Sequence, residues 1–248
     1  MRLDKSIWLT VLVVALGCSE GDNPAAPSIG QGGSTTRYTI QDRYLYVVDD
    51  VWLRVYDIAE NKFVQVHEEE IGFGIETIFS RPDYLYLGAN DGMYIFDLID
   101  PQVPAFVFRY DHILSCDPVV VQGNRAYVTL SAMAENCNRG VNLLEIIDIS
   151  DPYNPRRVTE YRMTSPRGLG VDGNLLFVCE GPHGLKVLDI SNEHDIRELQ
   201  VLTTHHAFDV IARSNRLTVT GQDGIFQYSY PAQGVQVLNF LSKIPLDL

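Results

Sequence analysis

Apolar residues along this chain come in short alternating runs that return at a nearly fixed interval. One set comprises Tyr44 to Val47, Tyr84 to Leu87, Ala126 to Val128, Leu175 to Val178 and Leu217 to Val219. Each is followed by a second run ending in a short polar residue: RVYD at Asp57, YIFD at Asp97, EIID at Asp148, KVLD at Asp189 and FQYS at Ser229. Those positions lie 40, 51, 41 and 40 residues apart, so the unit is about forty residues long and the third copy carries an insertion. A repeat of that length means stacked supersecondary units, none of which can bury its apolar face alone.

Each unit holds four candidate strands with turn residues between them. In the third unit these are Asp117 to Gln122, Arg125 to Leu130, Leu143 to Ile149 and Arg156 to Tyr161. Gly123-Asn124 makes the first turn, a place held elsewhere by Pro82-Asp83, Gly173-Asn174 and Ser214-Asn215. Asp91-Gly92 and Asp223-Gly224 make the second, where positive backbone angles are expected. The third contains proline, as in Asp100-Pro101 and Asp151-Pro152, which ends a ladder. No stretch sustains a helical period. Four short antiparallel strands repeated radially predict an all-β, five-bladed β-propeller with blades near 36–70, 71–113, 114–164, 165–204 and 205–242.

The ends read differently. Residues 1–17 have a short basic start and an apolar run from Ile7 to Leu16, too brief to span a bilayer and suited to an export signal. Residues 18–35 are rich in Gly, Pro and Ser and read as a flexible tether, with the propeller occupying 36–248.

Two resemblances sharpen the picture. Ala15-Leu16-Gly17-Cys18 resembles the signal of bacterial lipoproteins, which implies lipidation of Cys18 and anchoring in a membrane through lipid alone. Ser19 after it lacks the acidic residue that retains some lipoproteins at the inner membrane, so the expectation is an outer-membrane or cell-surface protein, with a periplasmic or secreted form as the alternative. LYVVDDVWLRVYDI, AYVT, DISDPYNP and FVCEGPHGLKVLDIS resemble the LVIVD repeat family of bacterial surface propellers. That likeness implies the fold and says little about activity, because propellers host many unrelated functions.

The remaining cysteines fit an exported protein. Cys116 opens a blade and Cys137 lies in the oversized connection, so both fall at one end of the propeller. A Cys116–Cys137 disulfide is expected there, stabilising by about 3 kcal/mol. Cys179, on a strand face with Phe177, is expected to be a buried inert thiol. The four repeated aspartates precede turns on different blades, where a carboxylate accepts backbone amides, and cannot all surround one substrate.

Polar residues gather at the end of the propeller where the inner strands begin. Glu76, His112, Asp117, Arg167, His183, His205, His206 and Asp209 are the candidates for a binding face around the central channel. No HxH or CxxC spacing marks a metal site, and no cofactor is expected, with calcium the one ion that converging carboxylates would suit. Nor is there a nucleophile elbow or a phosphate-binding glycine loop.

Net charge is −13, and removal of residues 1–17 makes it −14, which repels phosphate backbones and argues against nucleic acid. The reading is therefore a monomeric, non-enzymatic surface lipoprotein whose propeller binds a protein or glycan. The alternative is a carbohydrate-active hydrolase using Glu76, Asp117 and Asp209 as acid and base. A plugged channel end would favour the scaffold, and facing carboxylates in an open pocket would favour the enzyme.

Overall fold

The computed structural model describes residues 33–72, 74–111, 118–132, 141–231 and 238–246. It is a five-bladed β-propeller, each blade a four-stranded antiparallel sheet whose strands follow in chain order from the channel outward. Blade one comprises β1 (Tyr38–Gln41), β2 (Tyr44–Asp49), β3 (Trp52–Asp57) and β4 (Val64–Glu70). Blade two is β5 (Ile75–Arg81), β6 (Tyr84–Ala89), β7 (Gly92–Asp97) and β8 (Ala105–Asp111). β9 (Val119–Gln122), β10 (Arg125–Leu130), β11 (Leu143–Asp148) and β12 (Arg156–Arg162) form blade three. Blade four has β13 (Leu169–Asp172), β14 (Leu175–Cys179), β15 (Leu185–Asp189) and β16 (Arg197–Leu202). Blade five has β17 (Ala207–Arg213), β18 (Arg216–Gly221), β19 (Gly224–Ser229) and β20 (Asn239–Pro245).

The repeat extends to fine detail. Every third-to-fourth strand pair carries a register shift at the same place: Val55/Tyr56, Ile95/Phe96, Ile146/Ile147, Val187/Leu188 and Gln227/Tyr228. Bulges there increase the twist of each blade's outer edge. The first turns behave as their residues require, with positive φ at Asp42, Gly123, Gly173, Ser214 and Asn215. The second turns split: Gly224 has φ 143°, whereas Gly92 has no positive φ and is small because a Cβ there would lie 2.5 Å from the Tyr110 carbonyl oxygen.

Four seams between neighbouring blades are apolar cores. Tyr46, Val48, Leu53 and Val55 of blade one meet Ile78, Leu85, Leu87 and Phe96 of blade two. Met93 and Ile95 meet Val121, Ala126 and Val128, Leu144 and Ile146 meet Leu176 and Val178, and Phe177 and Val187 meet Val210, Val219 and Phe226. Blades two to four are thus buried on both faces, which is why YLYLGA, RAYVTL and LLFVC are almost continuously apolar.

Blades one and five are different. Each buries one face and leaves the other partly open, so burial alternates along β2, β3, β18 and β19. The open faces carry Leu45, Val47, Trp52 and Tyr56 on one side and Thr218, Thr220, Ile225 and Gln227 on the other. No apolar core joins them among the described residues.

The repeated aspartates fasten turns. Asp57, Asp148 and Asp189 each accept the amide of the residue two further on, from Ala59, Ser150 and Ser191, at 2.9 Å, and Asp97 accepts that of Ile99 at 3.3 Å. The Arg43 guanidinium holds the Asp57 carboxyl below the usual range, the Ser150 amide does so for Asp148, and the Ser191 hydroxyl for Asp189. Their folded pKa values therefore lie below the unfolded value of about 3.9, so the stability they contribute is complete above that pH and is lost as pH falls through the folded values. Acid titration of the melting temperature should show stability decreasing below about pH 4, with the loss reduced in Asp148→Asn.

Candidate functional site at the mouth of the channel

β1, β5, β9, β13 and β17 line the central channel, and their N-terminal ends form one mouth. Sequence composition places the start of the folded body at Thr36; in the structure Gly33 to Thr35 belong to it. This lead crosses the mouth. The Thr36 carbonyl accepts the Ile78 amide of blade two at 3.0 Å. Ser34 Oγ accepts the Leu169 amide at 2.7 Å and donates to Asp209 Oδ1 at 3.0 Å, reaching blades four and five.

Asp209 is the anchor of this arrangement. Besides Ser34, it accepts the Val210 amide at 2.9 Å on Oδ1, and the Thr35 hydroxyl at 2.8 Å and amide at 3.3 Å on Oδ2. A carboxylate offers about four acceptor sites, and four donors are present. Ser34 is 1% exposed and Asp209 9%, so the bonds from Ser34 and Val210 are shielded from water, whereas those from the exposed Thr35 are only half-buried. Gly33 and Gly168 flank the carboxylate so closely that a Cβ on either would collide with it. Where blades one and five lack an apolar seam, a polar latch joins them.

Around this plug lies a rim built mostly by blades four and five. The Arg167 guanidinium sits 5.7 Å from the centroid of Phe208, and the His206 ring lies 5.0 Å from it. Phe208 is 37% exposed, so it offers an aromatic edge flanked by two nitrogen-bearing groups. The two adjacent histidines diverge: His205 stacks on Phe226 at 3.7 Å with Nε2 against the Tyr228 hydroxyl at 2.5 Å, whereas His206 Nδ1 meets Gln222 Oε1 at 3.1 Å. Burial lowers the His205 pKa, keeping it neutral at physiological pH. His183 is exposed on the β14–β15 turn. His112, Asp117, Cys18, Cys116 and Cys137 lie outside the described residues.

Glu76 is the candidate with acid chemistry. Burial raises its pKa, opposed by Arg37 and reinforced by Asp50. A general acid needs such a shift, but glycoside hydrolysis also needs a second carboxylate open to the channel. Asp209, engaged by four donors behind the Gly33–Thr36 crossing, does not present one. Cys179 is a free thiol, fully buried beside Asp209 and Arg167, with its pKa pushed up by desolvation. Among the described residues no three His, Cys, Asp or Glu side chains gather as metal ligands.

One feature of the rim escaped the sequence reading. Glu180 and Lys186 form an ion pair at 3.3 Å, their side chains 3% and 11% exposed, with Glu198 also 3.3 Å from the ammonium and the Thr164 amide 2.6 Å from Glu180. Its signal is the first residue of the run that ends each unit's third strand: Arg54, Tyr94, Glu145, Lys186 and Phe226. Arg54 pairs with Asp49 and Glu68, Tyr94 bonds Asp91, Glu145 meets Arg157 at 3.2 Å, and Phe226 lies under Lys243. The same position thus carries a different electrostatic contact in each blade.

The LVIVD repeat matches residues 81–112, 115–163 and 166–200, the second, third and fourth blades. The chain carries LVIVD repeats. The match is narrower than the sequence resemblance, which includes LYVVDDVWLRVYDI of the first blade, and the two unmatched end blades of this LVIVD-repeat propeller are the ones with alternating burial. No curated protein matches the sequence. A functionally unknown protein from Desulfotomaculum acetoxidans superimposes with TM-score 0.70 at 13% identity, covering 83% of this chain and 68% of that one. A putative 6-phosphogluconolactonase from Bacteroides fragilis gives 0.66 at 11% identity, over 85% and 70% of the two chains. BamB from Moraxella catarrhalis gives 0.57 at 12% identity over 75% of this chain and 54% of its own length. These likenesses establish the fold alone.

Proposed function

We propose that this LVIVD-repeat propeller is a non-enzymatic binding scaffold, displayed outside the cytoplasm on a lipid anchor at Cys18, whose channel mouth engages a protein or glycan. The observation that carries this reading is the crossing of the mouth by Gly33–Thr36, with Asp209 engaged by four donors. A closed mouth with a rigid rim presents a surface rather than a reaction chamber. Phe208 beside Arg167 and His206 supplies stacking area next to a guanidinium, and aromatic and arginine side chains are enriched at interfaces. The acidic body disfavours nucleic acid as a partner.

The test is a screen of glycans and surface proteins against the full chain, with and without calcium. Phe208→Ala and Arg167→Ala should each weaken the ligand found by at least tenfold, equivalent to more than about 1.4 kcal/mol. Cleavage of a bound glycan, or equal binding by both variants, would overturn the proposal. Anchoring is tested separately: Cys18→Ala should move the protein from the membrane to the soluble fraction, and mass mapping should find Cys116 joined to Cys137.

A further inference from the structure

The channel is closed at the mouth but open at its other end. A cavity of about 360 Å³ runs up to Gly33 and Thr36 from the turns that join inner and second strands, within the size range of small-molecule sites. Its walls come from all five blades: Thr39, Ser80 and Arg81, Val120 and Gln122, Val171 and Asp172, and Ala212 to Ser214. This end is stiffly held. Gln41 Nε2 donates to the Pro82 carbonyl at 2.5 Å, the Gln122 amide exchanges two 2.8 Å bonds with the Gly173 backbone, and Thr39 bonds Ser80 at 2.7 Å.

Charge in the cavity runs against charge in the protein. Two guanidiniums, Arg81 and Arg213, line it from blades two and five, in a chain carrying thirteen more negative than positive charges. Arg43, Arg54, Arg109, Arg125, Arg157 and Arg197 have carboxylate partners, whereas Arg81 and Arg213, like Arg156, Arg162 and Arg216, have no ion pair among the described residues; of the unpaired ones, these two line the cavity. The one acid in the wall, Asp172, already accepts the Tyr230 hydroxyl at 2.6 Å and faces the Asn215 amide at 3.5 Å. Asp42 and Asp83, in neighbouring turns, are exposed and outside the lining.

We infer that this end of the channel is a second, separate site, which takes a small molecule bearing carboxylate or phosphate oxygens held between Arg81 and Arg213. Planar guanidiniums suit such oxyanions, binding them through paired N–H donors. The hydroxyls of Ser80, Thr39 and Ser214 supply further polar contacts, and Phe79 and Val171 the apolar floor.

Calorimetric titration of the full chain at low salt with citrate, succinate and inorganic phosphate tests the assignment. Saturable one-to-one binding is expected for at least one of them, and preference among the three tells carboxylate from phosphate. Arg81→Gln and Arg213→Gln should each weaken binding at least tenfold and the double variant abolish it, while Arg156→Gln, which removes the same charge from an outer strand, leaves it unchanged. No binding of any of the three anions, or binding that survives in the double variant, would overturn it. Because this site and the mouth use different residues, failure here leaves the binding surface at the mouth standing, and the reverse also holds.

Discussion

Asp209→Ala is expected to lower stability by about 3 kcal/mol, because it strands the buried donors of Ser34 and Val210 and removes the two part-buried bonds from Thr35. For a chain of this size each kcal/mol shifts the melting temperature by about 2–4 °C, so a fall of roughly 6–12 °C should appear by calorimetry. The loss should be local as well as large. Four seams have apolar cores and survive the change, whereas the fifth has the latch in place of one. Gly168→Ala should act in the same direction by driving a methyl group into the carboxylate. An Asp209→Ala protein as stable as the parent would mean that another contact closes the ring.

The second large effect is at Lys186. Replacing it with methionine leaves the Glu180 carboxylate buried with the Thr164 amide as its remaining partner, and should cost about 3–5 kcal/mol at neutral pH. The double change Lys186→Met with Glu180→Gln should recover most of that loss, since it removes the stranded charge. The pH dependence distinguishes this from lost packing. In the parent, burial opposes the charge on Lys186, but Glu180 and Glu198 outweigh it and raise the pKa. The pair's contribution is therefore complete below the unfolded lysine pKa of about 10.4 and is lost as pH rises through the folded value. In Lys186→Met the sign reverses, because an unpaired buried carboxylate takes up a proton and the variant regains stability as pH falls. Chemical denaturation from pH 5 to pH 8 should therefore show stability rising as pH falls in the variant and no contribution to the slope from the pair in the parent, whose loss appears only above about pH 10.4.

The blades were legible because two signals agree: apolar runs of strand length and turn residues at fixed offsets. Arg125 to Leu130 was placed to the residue, and Arg156 to Tyr161 to within one. The open seam is not part of the sequence reading, which treats the blades as equivalent; its signal is the alternation of Arg216-Leu-Thr-Val-Thr-Gly against the unbroken apolar run of LLFVC. The latch was not legible. Ser34 and Thr35 sit in a segment whose composition reads as tether, and nothing local indicates that they reach Asp209, 175 and 174 residues away. Burial of Ser34 comes from closure of the whole ring, which no window of sequence contains. The Glu180–Lys186 pair falls between these cases: Lys186 stands out against the register, but its partner lies across a turn and is found through geometry.

Hydrogen exchange resolved at single amides tests the central claim, that a polar latch through Asp209 closes the ring and seals the mouth. The Leu169 and Val210 amides, bonded to Ser34 Oγ and Asp209 Oδ1, should be protected in the parent and lose protection together in Asp209→Ala, while amides of β10 and β14 stay protected. Equal protection of Leu169 and Val210 in parent and variant would contradict it.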